Sequence, residues 1–335
     1  MENKNILIIG NGAFGVAMLQ ILMENKIQNV FMYSKSIEAG LDLMEGKHIA
    51  FPNQKILPPK ECFSSYSEAF QNKIDLIILC VPSIAINSIY NEIKSYLTKD
   101  IIIINTAKGL NPNNNLTWSK LFLENNLVND YALIVGPSFA SEIVNKQKTI
   151  VNIVCKNSST TKLIKSIFEN KYFQLIPFDD EYIASLVSSF KNSLALGIGL
   201  IKELCNSVNT QSAYLIIGIN ELQKIVSSIT KTCQIRILDF FGVGDIYLTC
   251  TSDESRNFQF GNYIGKYGIK KALEKFGNNT IEGLRTLKLI NEFIDKYKID
   301  SVLFKTLYEI CYKNKDHQSF VDEIWDLFYK QENKN

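Results

Sequence analysis

Residues 5–15 read NILIIGNGAFG, and this stretch decides the fold of the first half of the chain. The apolar run that opens it is typical of a buried strand, and a helical pattern continues past the glycines to Met23. Gly10, Gly12 and Gly15 have the spacing G-x-G-x-x-G. Glycines at these points permit a tight turn and a close approach of the backbone to a pyrophosphate on the helix N-terminus. The stretch therefore predicts a dinucleotide-binding unit.

The residues after the second predicted strand bear on which dinucleotide binds. That strand, Val30–Tyr33, is followed by Ser34, Lys35 and Ser36, with no acid before Glu38. A site specific for NAD usually places a carboxylate here, against the ribose 2′-hydroxyl. A hydroxyl with a lysine suits a 2′-phosphate better, which favours NADP over NAD. The alternative is a solvated turn in which the lysine is incidental.

Further apolar strands alternate with helical stretches through the first half of the chain. Such an alternation indicates a mostly parallel, doubly wound α/β sheet of the Rossmann type. In these sheets ligands bind beyond the carboxyl ends of the strands, so the polar segments 105–109 (NTAKG) and 136–140 (GPSFA) mark the expected site. The additional strands are predicted at 74–81, 101–104, 132–135, 149–154 and 173–176.

The apolar stretch 182–201, YIASLVSSFKNSLALGIGLI, contains a single charge, Lys191. Its apolar residues recur at helical spacing, which predicts a buried helix. The stretch is long enough to suggest a membrane span, but Lys191, Asn192 and four serines are costly in hydrocarbon, so we interpret it as a core helix. An ammonium at the edge of an apolar stripe needs a partner or a lowered pKa. Lys191 is therefore either a snorkelling lysine or a proton donor and acceptor in a cleft.

Beyond residue 180 the sequence shows no convincing strand. We therefore predict a dinucleotide-binding domain (1–180) and an all-α substrate domain (181–335). The densest polar cluster of the second half is 242–261, GVGDIYLTCTSDESRNFQFG. Its arginine, serine and asparagine offer a planar donor fork and neutral donors, a set that suits a phosphate dianion. The alternative is a loop of solvated polar residues. A further segment, 280–286 (TIEGLRT), reads as a helix start with a carboxylate near its N-terminus.

Composition narrows the classes of function. The 335 residues carry a net charge of +2, which gives no reason to expect nucleic acid or an anionic membrane as a partner. The seven cysteines form no CxxC pair, as expected of a reducing cytosol. The histidines, His48 and His317, lack metal-ligand spacing, so we expect no metal. The N-terminal residues show no signal-peptide pattern, and we expect a cytoplasmic protein.

Six segments, taken in order, resemble the bacterial NAD(P)-dependent glycerol-3-phosphate dehydrogenases. They are GNGAFG (10–15), NTAKGL (105–110), GPSFASEI (136–143), KNSLALGIG (191–199), the cluster 242–261 and IEGLRT (281–286). The resemblance covers essentially residues 4–330 and implies a Rossmann-type domain, an all-helical domain and a cleft between them. It also implies reversible reduction of dihydroxyacetone phosphate to sn-glycerol 3-phosphate, for phospholipid synthesis in the cytoplasm. The implied cofactor is NADP or NAD, with no metal. The implied partner is the small-molecule substrate, without nucleic acid or membrane insertion, and a homodimer stays open.

The resemblance also implies a role for each matching residue. Lys191 takes the position of a catalytic lysine that handles the proton of the C2 oxygen, and Lys108 that of a lysine touching substrate and cofactor. Asp245 takes the position of a carboxylate beside the reacting hydroxyl. Substrate contacts are implied for these three residues and for Gly136, Ser138, Ser255, Arg256 and Asn257. Cofactor contacts are implied for Gly10, Gly12, Ala13, Phe14, Gly15, Lys35, Lys108, Ala140, Arg256, Glu282 and, through its backbone, Thr280.

The chain departs from the family pattern downstream of Lys191. The family commonly reads like NAKAALITRGL there, whereas in this chain Gln211 and Ile217 replace the two bases. The replacements bear on the electrostatics around the substrate phosphate. Two rival hypotheses follow. One is a β-hydroxyacid dehydrogenase or ketopantoate reductase, which would bind a carboxylate. The other is a nucleotide-binding sensor that has lost catalysis, for which these replacements are the only support.

Overall fold

The computed structural model describes residues 4–124, 127–233, 235–277 and 281–333. The chain divides into two compact units, Met1–Ser185 and Leu186–Asn335. We call them the sheet unit and the helical unit. The division falls within one long helix, which begins at Glu181 in the sheet unit and ends at Cys205 in the helical unit.

The sheet unit is built on eight strands in the order β3-β2-β1-β4-β5-β6-β7-β8. The strands are β1 Ile6–Ile9, β2 Val30–Tyr33, β3 Glu61–Phe63, β4 Leu76–Leu79, β5 Ile102–Asn105, β6 Asp130–Val135, β7 Thr149–Val154 and β8 Phe173–Phe178. Neighbouring strands are parallel except for the antiparallel pair β6 and β7. Every residue of β1, β4 and β5 is buried, as expected of strands covered on both faces. The predicted Rossmann-type sheet is confirmed.

Helices connect the strands of the sheet unit. They are α1 Ala13–Glu24, α2 Ile37–Met44, α3 Tyr66–Ala69, α4 Ile86–Ile93, α5 Trp118–Leu123, α6 Ala140–Val144 and α7 Ser158–Phe168. Helix α1 is buried along most of its length and shares one apolar core with the strands and with α7. Strand β1 lies between β2 and β4, so the strand order reverses there. The carboxyl ends of β1 and β4 therefore form the switch point at which such sheets bind ligands.

Strand β3 is missing from the strands that the sequence pattern predicts. It is an edge strand of three residues in which Glu61 is exposed, Cys62 is half-buried and Phe63 is buried. Its pairing with β2 places Glu61 opposite Phe31. Because only one of its residues faces the core, the segment shows neither an apolar run nor an alternation. Tertiary pairing, rather than local pattern, makes it a strand.

The helical unit begins after Ser185, and its described residues contain no strand, which confirms the prediction of an all-α second half. Its helices are α8 Glu181–Cys205, α9 Val208–Thr230, α10 Asp245–Thr251, α11 Arg256–Phe276, α12 Glu282–Tyr297, α13 Leu303–Tyr312 and α14 Phe320–Glu332. Helix α11 is interrupted at Gly268, where φ is +80°.

Helix α8 is long and apolar enough to cross a membrane by length and composition, but its whole apolar window is buried inside the protein. Within the helical unit it packs closely against α11. A Cβ at Gly199 would lie 2.1 Å from the carbonyl oxygen of Phe258, and a Cβ at Gly261 would lie 1.9 Å from that of Leu196. Glycine at both positions therefore brings the two backbones into contact.

Candidate active site

The glycines of the loop between β1 and α1 have two different roles. Gly10 has φ of +111°, and a Cβ there would lie 2.4 Å from the carbonyl oxygen of Cys80. A Cβ at Gly15 would lie 1.9 Å from the carbonyl oxygen of Gly10. A Cβ at Gly12 would meet no atom of the described residues within 4 Å. Gly10 and Gly15 thus close the turn at the switch point, while the loop at Gly12 borders open space.

This open side of the loop fits a dinucleotide. Helix α1 begins with Ala13 and Phe14, its N-cap residue Gly12 has no side chain, and no acid lies in its first turn. The first amides of a helix have no partner within the helix and lie at the positive end of its dipole. Space beside unpartnered amides is what a pyrophosphate requires. The residues present therefore fit the cofactor that the glycine spacing predicts.

At the end of β2, the serine hydroxyls are already engaged by the protein. Ser34 is buried, and its hydroxyl accepts from Asn11 Nδ2 (2.8 Å) and donates to the Ser36 carbonyl oxygen (2.6 Å). The Ser36 hydroxyl caps α2 by accepting from the Ala39 amide at 3.2 Å. Lys35 is exposed and makes no hydrogen bond or ion pair with the described residues. Lys35 is thus the group at this strand end that is available to a 2′-phosphate.

Two neighbouring strand ends bring Lys108, Gly136 and Ser138 together. The Gly136 carbonyl oxygen, just after β6, accepts from Lys108 Nζ at 3.4 Å and from the Ser138 hydroxyl at 3.0 Å. Lys108 follows β5, which pairs with β6 in parallel. Ala140 is the first residue of α6, close behind in the chain. The Lys108 ammonium and the Ser138 hydroxyl thus lie together at the carboxyl ends of β5 and β6, where the polar segments 105–109 and 136–140 predict a site.

The helical unit buries Lys191 with two polar partners. Its side chain is 3% exposed, and Nζ lies 3.4 Å from Oδ1 of the fully buried Asp245. Nζ also donates to Thr249 Oγ1 at 2.5 Å, and that hydroxyl donates to the Asp245 carbonyl oxygen at 2.6 Å. A snorkelling lysine would place its ammonium in water, so this geometry excludes that interpretation. The charge of Lys191 is instead held among buried oxygens.

The sequence analysis misses Thr249, although a signal for it exists. Thr249 lies four residues after Asp245 on α10, and residues at that spacing share one helix face. The neighbouring Cys250 is buried. Burial, reinforced by the charge of Asp245 and opposed by that of Lys191, raises the pKa of the Cys250 thiol to about 12.

The residues Ser255, Arg256 and Asn257 occupy three different environments at the start of α11. Ser255 is its N-cap, and its hydroxyl accepts from the Phe258 amide at 3.3 Å. Arg256 is exposed, and its guanidinium makes no hydrogen bond or ion pair within the described part of the chain. Asn257 is half-buried and bonded to the protein through both ends of its amide. Arg256 is therefore the member of this cluster with its donors available.

Asn257 belongs to a network that joins α8, α11 and α12 within the helical unit. Its Nδ2 donates to Asn192 Oδ1 (3.1 Å), and its Oδ1 accepts from the Gly283 amide (2.8 Å). The Ser193 hydroxyl donates to the Gly283 carbonyl oxygen at 2.8 Å. Both backbone groups of Gly283 are thus hydrogen-bonded, which fixes the neighbouring Glu282 at the start of α12. The sequence analysis assigns no site role to Asn192 or Ser193. The signal for them is that two polar residues directly follow Lys191 within an apolar stretch.

Four further residues named in the sequence analysis are Glu282, Thr280, Gln211 and Ile217. Glu282 lies 3.8 Å from the guanidinium of Arg285. Thr280 lies outside the described residues. Gln211 lies in the first turn of α9, where its backbone amide donates to the Ser207 carbonyl oxygen. Ile217 lines an apolar groove of about 360 Å³ with Trp325 and other residues of α9 and α14. None of the predicted substrate contacts lines this groove, so Ile217 contributes to an apolar surface of its own.

No metal centre accompanies these groups in the described ranges: no cluster of three or more His, Cys, Asp or Glu side chains is placed to hold a metal ion.

Comparison with known proteins assigns both halves of the chain to one family. Residues 5–161 match the NAD-dependent glycerol-3-phosphate dehydrogenase N-terminus, and residues 180–322 match the C-terminus of the same family. Among curated relatives, glycerol-3-phosphate dehydrogenase [NAD(P)+] of Mesoplasma florum is 34% identical over 97% of this chain and 98% of that protein. The enzyme of the same name from Malacoplasma penetrans is 31% identical over 99% of each chain.

Solved structures agree with this assignment. The crystal structure of glycerol-3-phosphate dehydrogenase from Coxiella burnetii superposes with a TM-score of 0.85 at 25% identity, covering 97% of this chain and 99% of that one. The structure of 2-dehydropantoate 2-reductase from Methylococcus capsulatus, which represents a rival hypothesis, reaches a TM-score of 0.59 at 12% identity over 91% of this chain and 94% of that one. That second likeness is one of fold alone. The chain therefore belongs to the NAD-dependent glycerol-3-phosphate dehydrogenase family.

Proposed function

We infer that this chain is an NAD(P)-dependent glycerol-3-phosphate dehydrogenase, an oxidoreductase that reversibly reduces dihydroxyacetone phosphate to sn-glycerol 3-phosphate. The observation that carries the inference is the buried Lys191, held 3.4 Å from Asp245 in a chain whose two halves both match this family. A carbonyl reductase needs a proton donor for the oxygen on which negative charge develops. Lys191 is a donor of this kind. The product is a precursor of phospholipids, which places the enzyme in lipid metabolism.

Proton transfer at C2 falls to Lys191 in this proposal. When bound, the nicotinamide supplies the hydride for the C2 carbonyl. Lys191 Nζ holds the proton that the C2 oxygen receives, and in the reverse direction it accepts that proton. The carboxylate of Asp245, 3.4 Å away, offsets part of the cost of burying the ammonium. Thr249 fixes the direction of Nζ, since its hydroxyl accepts from Nζ and donates to the backbone of α10.

Lys108 contributes a second positive charge in this proposal, beside substrate and cofactor. Its contact with the Gly136 carbonyl oxygen holds it at the carboxyl edge of the sheet, where Ser138 contributes a hydroxyl. A fixed positive charge in a site that excludes water stabilises the developing oxyanion more strongly than it would in bulk solvent.

Arg256 is the proposed principal ligand of the substrate phosphate. Its guanidinium is exposed and offers a planar fork of donors that matches phosphate oxygens. Ser255 and Asn257 flank it, and the engagement of Asn257 with Asn192 and Gly283 suits it to fixing the start of α11 as well as to contacting substrate.

The proposed cofactor contacts lie in both units. In the sheet unit, the glycine loop and the first residues of α1 would hold the pyrophosphate, and Lys35 would face the 2′-phosphate of NADP. The full proposed set is Gly10, Gly12, Ala13, Phe14, Gly15, Lys35, Lys108, Ala140, Arg256, Thr280 and Glu282. NADP is favoured because Lys35 is an exposed cation and no carboxylate precedes Glu38.

The setting of the enzyme is proposed on the same basis. We place the functional division at 1–180, the dinucleotide-binding domain, and 181–335, the substrate domain. The proposed location is the cytoplasm, in keeping with cysteines that are all unpaired. The proposed partner is the small-molecule substrate, without nucleic acid or membrane insertion, and a homodimer is a compatible assembly.

A steady-state assay of the purified protein tests the function. Oxidation of NADH and of NADPH is followed in parallel with dihydroxyacetone phosphate, with ketopantoate as the control substrate. We expect turnover with the phosphorylated ketone, no turnover with ketopantoate, and a kcat/KM for NADPH at least equal to that for NADH. Binding of NADPH without turnover of either substrate would instead indicate a nucleotide-binding sensor.

A further inference from the structure

Asn105, the last residue of β5, locks the turn that leads to Lys108. Its side chain is fully buried. Its Oδ1 accepts from the Ala107 amide at 2.9 Å, and its Nδ2 donates to the Ala107 carbonyl oxygen at 3.3 Å. A side chain that is hydrogen-bonded to both the amide and the carbonyl group of the residue two positions later fixes the path of the backbone there. The position of Lys108 therefore depends on the orientation of the Asn105 amide.

Tyr131 sets that orientation. In the parallel pairing of β5 and β6, Tyr131 lies opposite Ile103, so its side chain is on the same sheet face as that of Asn105, two residues further along. Its hydroxyl accepts from Asn105 Nδ2 at 2.9 Å. Burial and the nearby charge of Glu181 raise the pKa of Tyr131 well above its usual value of 10, so the hydroxyl stays protonated and is also a donor.

Glu181 is the titratable neighbour of this hydroxyl, and burial raises the pKa of its carboxyl above the usual value. Its Oε1 accepts from the Ser119 amide, at the start of α5, at 3.2 Å, and the Ser119 and Tyr131 hydroxyls oppose the rise in its pKa. The Tyr131 hydroxyl accepts from Asn105 Nδ2, so its own proton is left for an acceptor such as Glu181. The Ala107 amide and the Tyr131 hydroxyl together fix the Asn105 amide, because a flipped amide would turn its NH2 group against the Ala107 N–H.

We propose that Tyr131 and Glu181 are positioning residues of the dehydrogenase, which hold Lys108 in its working place through the Asn105 amide. The proposal rests on the function inferred above. It assigns no contact with substrate or cofactor to either residue. Removing the Tyr131 hydroxyl frees the Asn105 amide to turn, which loosens the turn at Ala107 and misplaces the Lys108 ammonium. A small misplacement of a group at the reacting centre lowers the rate strongly.

Tyr131→Phe is the informative variant, and Tyr214→Phe is its matched control. Tyr214 is also buried, and its hydroxyl donates to the Val321 carbonyl oxygen at 2.5 Å in the helical unit. Both variants lose one buried hydroxyl, so both are expected to lower the melting temperature. We expect Tyr131→Phe to reduce kcat/KM for dihydroxyacetone phosphate by about tenfold or more, and Tyr214→Phe to change it by less than about twofold. In Glu181→Gln, whose amide oxygen can still accept from Tyr131, we expect a smaller loss than in Tyr131→Phe.

A double-mutant cycle separates positioning from a general loss of stability. In a Lys108→Ala background, Tyr131→Phe is expected to change kcat/KM by less than about twofold, because the group that it positions is gone. Hydrogen exchange of the peptide 105–110, measured by mass spectrometry, should be faster in Tyr131→Phe and unchanged in Tyr214→Phe. An equal loss of kcat/KM with and without Lys108 overturns the proposal, as does unchanged exchange at 105–110. If Lys108→Ala alone retains wild-type kcat/KM, the proposed role of Lys108 fails instead.

Discussion

At the scale of single residues, Lys191 is buried, and burying an ammonium costs free energy unless oxygen atoms surround it. We expect Lys191→Ala to lower kcat by at least about 100-fold, because the C2 oxygen loses its proton donor. The affinity for NADPH, measured by fluorescence titration, should be nearly unchanged. Lys202 on the same helix, whose Nζ pairs with exposed Asp253 at 3.3 Å, provides the control. Lys202→Ala should keep wild-type kcat, and a Lys191→Ala enzyme that keeps more than about a third of kcat would exclude the proposed role.

Arg256 differs from Lys191 because its guanidinium is exposed. We expect Arg256→Lys to raise KM for dihydroxyacetone phosphate more than it lowers kcat, since a point charge does not replace a bidentate fork. The neutral analogue dihydroxyacetone should respond much less, because it has no phosphate. Arg236→Lys is the control, as Arg236 is exposed and pairs with Asp239 at 2.9 Å. Equal losses on both substrates would assign Arg256 to the structure or to the cofactor.

Residues that lie within a motif are predictable from sequence, whereas residues that act through a distant partner are not. Lys191, Lys108 and Asp245 stand in segments that resemble those of the family, and the resemblance marks them as candidates. The positions of Tyr131 and Glu181 become informative only when β5 pairs with β6 and brings Asn105 within hydrogen-bonding distance. Those contacts join residues far apart in the chain, and no local pattern encodes them.

At the scale of elements, the start of α13 depends on a carboxylate from α9. Glu221 is 5% exposed and accepts from the Ser301 hydroxyl (2.6 Å) and from the amides of Val302 (2.6 Å), Leu303 (2.9 Å) and Phe304 (3.2 Å). One side chain thus satisfies the amides that a helix start leaves without partners. The contact also joins α9 to α13 inside the helical unit.

Glu221→Gln should therefore destabilise the protein. An amide has one acceptor oxygen instead of two, and its NH2 group would face donors, so buried amides lose their partners. We expect the free energy of unfolding to fall by at least about 2 kcal/mol, measured by urea denaturation. Glu274→Gln, at an exposed position on α11, should change it by less than about 0.5 kcal/mol. A Glu221→Gln protein as stable as the control variant would show that water or other groups satisfy these amides.

Elements with a strong period are predictable, and elements made by tertiary pairing are not. Every residue of β1 and β4 is buried, and the apolar runs in the sequence predict both strands. Strand β3, with one buried residue, has no such signal. The long helix α8 is evident from its apolar spacing. By contrast, the network that joins α8 to α11 and α12 depends on Asn192 and Gly283, whose partners lie far along the chain.

At the scale of the whole molecule, the alternation of strands and helices followed by a strandless half suffices to predict an α/β sheet unit and a helical unit. The strand order and the antiparallel pairing of β6 with β7 are not predictable in this way, because they depend on pairing between segments that local sequence patterns do not connect. The order of the six motifs along the chain carries the functional assignment, since each motif alone admits an ordinary structural role.

The cysteines test the description of the whole molecule at once, because they are spread over both units. All seven are unpaired, and Cys233 is the exposed one. Burial raises the pKa of Cys62 to about 11, and it raises that of Cys80, Cys250 and Cys311 to about 12. Only the thiolate reacts with an alkylating reagent, and a thiol of ordinary pKa is about one tenth thiolate near pH 7.5. These four thiols hold a far smaller thiolate fraction, and Cys250 is also buried.

We therefore expect brief treatment of the folded protein with iodoacetamide to label Cys233 and to leave Cys62, Cys80, Cys250 and Cys311 unlabelled, and treatment in denaturant to add seven groups, as measured by mass spectrometry of the intact and digested protein. Cys233→Ser should remove one rapidly added group and leave dihydroxyacetone phosphate turnover unchanged. Omission of reductant should not shift the melting temperature, because no disulfide contributes to the fold. Rapid labelling of Cys250 in the folded protein would contradict the burial of the Lys191 and Asp245 pair, since Cys250 is packed in the same buried part of α10.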